Sequence, residues 1–379
     1  MERQPSLEVE LGHRLGRLTL DVGLRVGAET LALVGPSGAG KSSILRGIAG
    51  LLVPQRGRIV ADGRTLYDAE RRIDVPPNER GVGLVFQDGA LFPHLSVAHN
   101  VAYGLRARGV GRADAAQRAT RALERFGLAH LAGAKPTSLS GGERQRVALL
   151  RAVATDPRIL LLDEPLSSLD TATKADVSTE LAARLGALRL PTILVSHDVG
   201  DVLGLASRVA VLEQGHVIQE GTPAELLATP ASAFVASFAG VNYIPGFATR
   251  RDGLTVVAGE GQTTFFSTDS LEGPVGMIVY PWDVAISAER PEGSALNAIA
   301  GPISRVSPLG NRTRVAITGS PPIVAEVTEE SARRLRLSPG VVVVASWKAT
   351  GTRLVPRSPG NGELGSERGG AAGVGATPG

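Results

Sequence analysis

Short apolar runs alternate with amphipathic stretches from residue 1 to about 240, among them Thr30–Val34 before a glycine-rich loop and Ile159–Leu162 before an acidic pair. This alternation predicts parallel strands joined by helices, packed in α/β layers. From about Gly240 the texture changes. Thr255–Ala258, Val275–Tyr280, Arg314–Ile317, Ile323–Val327 and Val341–Ser346 are Val- and Ile-rich segments broken by Gly and Pro, the pattern of a small antiparallel β domain. The last stretch, Arg357–Gly379, has almost nothing to bury and is expected to be a disordered tail.

Composition narrows the picture. A chain of 379 residues with 43% hydrophobic and 20% charged positions is that of a globular protein rather than a disordered or fibrous one. No run approaches the ~18–20 apolar residues needed to cross a bilayer, and Met1–Glu10 lacks the basic-then-apolar layout of a secretion signal, so a cytoplasmic location is expected. With no Cys, disulfides, thiolate metal sites and Cys nucleophiles are excluded. A net charge of +3 gives no argument for nucleic-acid binding. Only four residues are Lys (Lys41, Lys135, Lys174 and Lys348), so each raises the question of whether an ammonium is specifically needed.

The richest signal is Gly35-Pro36-Ser37-Gly38-Ala39-Gly40-Lys41-Ser42, directly after an apolar strand and before the helical Ser43–Ala49. This is a phosphate loop in its proper context. Its glycines let backbone N–H groups turn toward phosphate oxygens, and the following helix points its positive end at them. Lys41 is the candidate for the β- and γ-phosphates and Ser42 for Mg²⁺. Ile159–Leu162 ends in Asp163 and Glu164, placing two carboxylates at the sheet's carboxyl edge. Asp163 is the candidate for holding Mg²⁺ through water, and Glu164 for orienting or deprotonating the attacking water.

Between these lies Leu139-Ser140-Gly141-Gly142-Glu143-Arg144-Gln145-Arg146, a second glycine pair opening a helix. The Ser followed three residues later by Glu also reads as a capping box. With this motif the chain resembles the ATP-binding subunits of ABC transporters. The resemblance implies a P-loop NTPase with a RecA-like core, an antiparallel β subdomain and a helical signature subdomain at about 88–155. It also implies a head-to-tail homodimer in which Ser140, Gly141 and Gly142 of one subunit cap the γ-phosphate held by Gly35–Ser43 of the other. By the same resemblance, Gln87 contacts Mg²⁺ and the lytic water, Ser168-Leu169-Asp170 spans the dimer interface, and His197 bonds the γ-phosphate. One departure stands out. Leu11–Thr19 contains no aromatic residue to stack on adenine, leaving His13, Arg14 and Arg17 as candidates and the choice between ATP and GTP open.

The loop Asp88–Val97 is apolar for a connection, suited either to gripping a transmembrane partner's helix or to packing in the chain's own core. A nucleotide domain followed by a β domain resembles importer ATPases. These work with two separate permease subunits on the cytoplasmic face of the membrane and, indirectly, with an extracytoplasmic solute-binding protein. Gly63–Glu70, Pro77–Arg80 and Val82–Phe92 are similar to the molybdate-importer ATPases. So are Ser294–Asn297, Ala325–Ser331, Leu337–Gly340 and Trp347–Thr350, which are similar to their Mop/TOBE module, a small OB-like barrel. The domains expected are ATP-binding at 1–240, a β-rich connector at 241–290, the all-β Mop/TOBE-like domain at 291–356 and the tail at 357–379. Ser294, Asn297, Thr328, Ser331 and Lys348 fall on matching oxyanion positions, since a tetrahedral dianion accepts hydrogen bonds and donates none. The same residues also read as strand caps. Importers of sulfate, iron, polyamine or sugar, and a soluble ATPase of this class, remain alternatives.

Overall fold

The structure, a computed structural model, describes residues 6–167, 169–259 and 263–357. Ser168 and the tail beyond Arg357 lie outside the described residues. The chain divides into two compact units between Thr229 and Pro230.

Two sheets form the first unit. One is antiparallel, in the order β2 (Leu18–Val26), β1 (Leu7–Leu15), β4 (Arg56–Ala61), β5 (Arg64–Asp68) and β6 (Ile73–Asp74). The other runs β11 (His216–Gly221), β10 (Arg208–Glu213), β3 (Thr30–Val34), β9 (Thr192–Val195), β8 (Ile159–Asp163) and β7 (Val82–Val85), parallel except for the β10–β11 hairpin. Around them lie α1 (Lys41–Ala49), α2 (Val97–Ala107), α3 (Arg112–Arg125), α4 (Gly141–Val153), α5 (Thr171–Leu188), α6 (Val199–Leu205) and α7 (Pro223–Ala228).

The apolar strand runs are unbroken because both faces of the parallel sheet are covered. Successive side chains alternate sides. In β8, Ile159 and Leu161 enter the core shared with the antiparallel sheet and α1, whereas Leu160 and Leu162 enter a second core with α2–α5.

The second unit begins with α8 (Ala233–Ala239), which precedes the boundary expected at 240. Its two antiparallel sheets run β14 (Thr264–Ser267), β13 (Leu254–Gly259), β12 (Asn242–Arg251), β15 (Gly273–Val279), β21 (Thr352–Pro356), and β16 (Ala285–Ser287), β20 (Val342–Trp347), β17 (Asn297–Leu309), β18 (Arg312–Ile317), β19 (Ile323–Thr328). A six-residue helix, α9 (Glu329–Arg334), follows β19. Strands cross the division expected at 290: β21 pairs with β15, and β16 with β20. The two segments therefore share one core, with Ile244, Phe265 and Met277 from the first sheet and Ile299, Val315 and Trp347 from the second.

Candidate nucleotide site

Four neighbouring strands of the parallel sheet, β3, β9, β8 and β7, end at one edge, and each delivers part of the site. Gly35–Ser42 follows β3, His197 follows β9, Asp163 and Glu164 close β8, and Gln87 lies just beyond β7. Loops beyond the carboxyl ends of parallel strands are where such sheets bind ligands. Residues spread over more than half of the first unit's sequence are thereby brought together.

The phosphate loop cannot be built from larger residues. At Gly35 an added Cβ would lie 2.1 Å from the Leu212 carbonyl oxygen; at Gly40, with φ 103°, it would lie 2.3 Å from a Leu20 methyl. Lys41, nearly buried, donates to the carbonyls of Gly35 at 2.7 Å and Pro36 at 2.9 Å. Burial lowers its ammonium pKa, against the pull of Glu164 and Asp163. Ser42 Oγ donates to Asp163 Oδ1 at 3.2 Å, joining the loop to the end of β8. Burial raises the Asp163 carboxyl, with neighbouring Glu164 adding to the rise and the Ser42 bond opposing it.

Glu164 stands at φ +48°, an unfavourable conformation for a non-glycine residue, with its N–H on the Val195 carbonyl at 2.9 Å. Such backbone strain costs about 1–3 kcal/mol and is held only where surrounding structure enforces it. Its carboxylate is gripped at both oxygens: Gln87 Nε2 donates to Oε2 at 3.0 Å, and His197 Nδ1 lies 3.3 Å from Oε1. The His197 ring is otherwise exposed. A carboxylate fixed in this way keeps lone pairs for a water, the geometry general-base or water-orienting chemistry needs.

The remaining positions fall elsewhere. Ser140 caps α4 in a full capping box, accepting the Glu143 N–H at 3.3 Å while Glu143 Oε2 accepts the Ser140 N–H at 2.8 Å. Among the described residues, the bonds of the Ser140 side chain stay within this cap. Gly141 and Gly142 form the first turn of α4, and exposed Asp170 precedes α5, its carbonyl accepting from the Lys174 N–H. His13 is half-buried on β1 with its Nδ1 buried and unpaired, whereas Arg14 and Arg17 are exposed. The Asp88–Val97 loop is partly anchored and partly exposed. Buried Asn100 binds the Phe92 N–H and the carbonyls of Phe92, Leu95 and Ser96, while Ala90, Pro93 and His94 stay exposed.

In the second unit the oxyanion candidates do not converge as one set. Asn297 is fully buried, its carboxamide donating to Phe266 O and Thr352 Oγ1 and accepting from Phe266 N–H. Both its donors are spent on tying β17 to β14 and β21, so the expectation that they face an oxyanion is corrected: a buried amide is satisfied by the polar groups packed against it, here one carbonyl and one hydroxyl. Thr328 caps α9 and bonds Ser331, while Ser294 and Lys348 are exposed.

Comparison with known proteins adds what geometry leaves open. The ABC transporter family matches residues 20–167, and the TOBE domain matches 293–354. The molybdenum import ATP-binding protein ModC of Mycobacterium tuberculosis (strain ATCC 25618 / H37Rv) is 39% identical over 350 residues, covering 89% of this chain and 94% of that protein. ModC of Rhizobium meliloti (strain 1021) is 40% identical over 357 residues, covering 90% and 98%. The chain belongs to the ABC transporter ATP-binding family. Among solved structures, cbiO1 from Clostridium perfringens, part of the ABC transporter complex cbiONQ, covers 60% of this chain with TM-score 0.52 and 28% identity. Membership makes the chain an ATP-binding ATPase. Among the described residues no helix is long and apolar enough to cross a membrane.

Two residues around the site escape motif reading. Arg80, 1% exposed, donates to the carbonyls of Gly47 and Ile48 and pairs with Asp74 at 2.7 Å, fixing the far end of the phosphate-loop helix. Lys174 pairs with Asp198 and Asp201, both at 2.9 Å, behind His197. Its one sequence signal is the scarcity of Lys; Arg80 closes the Pro77–Arg80 segment of the resemblance, but no role attaches to it there in a chain that uses Arg everywhere.

Proposed function

We propose that the chain is the ATP-hydrolysing subunit of an importer of molybdate or tungstate. Two copies meet head to tail around two ATP molecules and dock from the cytoplasmic side on two permease subunits served by an extracytoplasmic binding protein. One observation carries the dimer. The β3–β9–β8–β7 edge holds Lys41, Ser42, Asp163, Glu164, Gln87 and His197, while among the described residues the Ser140 side chain bonds only within its own helix cap, which leaves the Gly141–Gly142 turn for a second copy's nucleotide. Strong relatedness to ModC proteins along both units supports the solute. A groove of about 440 Å³ beside Gln87, lined by Phe86, Ala90, Phe92, Tyr103 and Arg151, supports docking of a permease helix.

The residues divide the work. Backbone N–H groups of Gly35–Ser43 and the start of α1 hold the phosphates, and Lys41 supplies positive charge in a low-dielectric setting where it counts most. Gln87 and His197 hold Glu164 so that its free lone pairs orient the attacking water and draw off its proton. A divalent cation fits here: the Ser42 hydroxyl and Asp163 carboxylate are hard oxygen donors 3.2 Å apart, and burial leaves the Asp163 charge in want of a partner. Ser42, Asp163 and Gln87 would hold Mg²⁺, which supplies charge neutralisation between the phosphate oxygens. In the second unit, Ser294, Thr328, Ser331 and Lys348 would bind oxyanion at a subunit interface and bias the dimer toward its open state when the cytoplasm is replete.

The test is Glu164→Gln. The variant should lose ATP turnover by about a hundredfold or more yet elute as an ATP-dependent dimer on size exclusion. Wild-type turnover by this variant, or full activity in a strictly monomeric preparation, would overturn the reading.

A further inference from the structure

Lys174 sits in the first turn of α5, immediately behind Leu169–Asp170. Its backbone N–H holds the Asp170 carbonyl at 2.9 Å. Its ammonium reaches Asp198 Oδ2 and Asp201 Oδ1, each at 2.9 Å. Those carboxylates are bound into the backbone around His197. Asp198 Oδ1 caps α6 by accepting the Asp201 N–H at 3.1 Å. Ser196 Oγ donates to Asp201 Oδ2 at 2.9 Å and accepts the Asp198 N–H at 3.1 Å. Residues on both sides of His197 thus belong to one charged network, and among the described residues Lys174 is the only cation paired with it.

The ring itself has little else to hold it. His197 is 65% exposed, and its side chain meets Glu164 at 3.3 Å. Where the ring stands therefore depends on where Ser196 and Asp198 hold the backbone. An ammonium suits the task, because its three donors can serve two carboxylates and still follow small movements. Asp201 is 5% exposed, so its bond to Lys174 is shielded from competing water.

We propose that Lys174 is a positioning residue for ATP hydrolysis, transmitting the placement of the Asp170 segment to the His197 ring and through it to the Glu164 carboxylate. The dimer face and the hydrolytic group then respond together, through contiguous hydrogen bonds rather than by distant influence. A second tie supports α5 as the coupling element. Glu180, farther along the same helix, pairs with Arg146 of α4 at 3.6 Å, so the helix capped by Ser140 bears on it too.

The inference rests on His197 and Glu164 being the hydrolytic pair, which the His197→Ala rate tests separately. Steady-state ATPase kinetics of the full chain would compare wild type, Lys174→Met, Lys174→Arg, His197→Ala and the Lys174→Met/His197→Ala double variant, with thermal unfolding followed alongside. Lys174→Met should lower kcat about tenfold or more with KM for ATP changed by less than about threefold, and Lys174→Arg should restore at least about half of the loss. In the His197→Ala background, Lys174→Met should have no further effect, since its route is already cut. Equal losses in both backgrounds, an unchanged kcat, or a change in KM alone would overturn the proposal. Asp201→Asn gives the same comparison from the other side of the bond should Lys174→Met not fold.

Discussion

Asp198 shows how one residue serves two structures at once, capping α6 with one oxygen and meeting Lys174 with the other. Burial works to raise its carboxyl, but the Lys174 ammonium and the Asp201 N–H outweigh it and hold the group below the ordinary range. A depressed folded value means the charge adds stability above the unfolded value of about 3.9 and that this addition is lost as pH falls through the folded value. Lys174 is shifted the other way: burial lowers it, and bonds to Asp201 and Asp198 more than compensate. Its contribution is complete below about 10.4 and disappears only as pH rises through its folded value. Asp198→Asn keeps a good cap while removing the charge. Its deficit in melting temperature should be steady between about pH 6 and 9 and close below about pH 4; thermal scans by circular dichroism at stepped pH check this, and a deficit unchanged at pH 3 would contradict it.

At the scale of elements, α4 illustrates a motif with two physical jobs. Ser140 and Glu143 make a complete capping box, and the Glu143 carboxyl is held low by the Ser140 N–H and hydroxyl. Capping alone predicts that Ser140→Ala costs about 1 kcal/mol and leaves chemistry alone. Contact with a partner's nucleotide predicts more. The expected outcome is a melting temperature lowered by a few degrees but an ATPase rate, measured well below that temperature, reduced about tenfold or more. A rate that merely follows stability would leave the cap as the whole role of Ser140. Such double use is legible in sequence only as a pattern, because Ser-Gly-Gly-Glu before an apolar helix satisfies both needs with the same residues. Asn297 is the opposite case. On sequence it matches an oxyanion position, yet the packing of β17 against β14 and β21 gives its carboxamide the Phe266 backbone and the Thr352 hydroxyl as partners.

For the molecule as a whole, the two tryptophans of the second unit offer a direct readout. Trp347 is buried, stacked on Phe265, with its ring N–H on Thr352 Oγ1 at 3.0 Å. Trp282 is 56% exposed and stacked on Tyr280 at 4.9 Å, in the turn beside β19, the strand that ends in Thr328. Molybdate or tungstate bound near Thr328, Ser331 and Lys348 should therefore alter the emission of Trp282, and Trp282→Phe should abolish the response while Trp347 still fluoresces. No change in emission on titration of the full chain, with calorimetry equally silent, would remove the oxyanion role.

Local sequence determined the parts whose physics is local. Gly35–Ser42 needs glycine for its backbone and a helix start for its charge, so strand, loop and helix are readable together. The double-sided runs Thr30–Val34 and Ile159–Leu162 announce a covered parallel sheet. Strand order was a different matter: nothing in the chain before folding says that β9 inserts between β3 and β8, yet that order sets His197 against Glu164. The shared core of the second unit, the buried Arg80 and the Lys174 network depend likewise on partners far apart in the chain. Sequence periodicity records which face of an element avoids water; only the folded arrangement decides which polar groups find each other on the faces that remain.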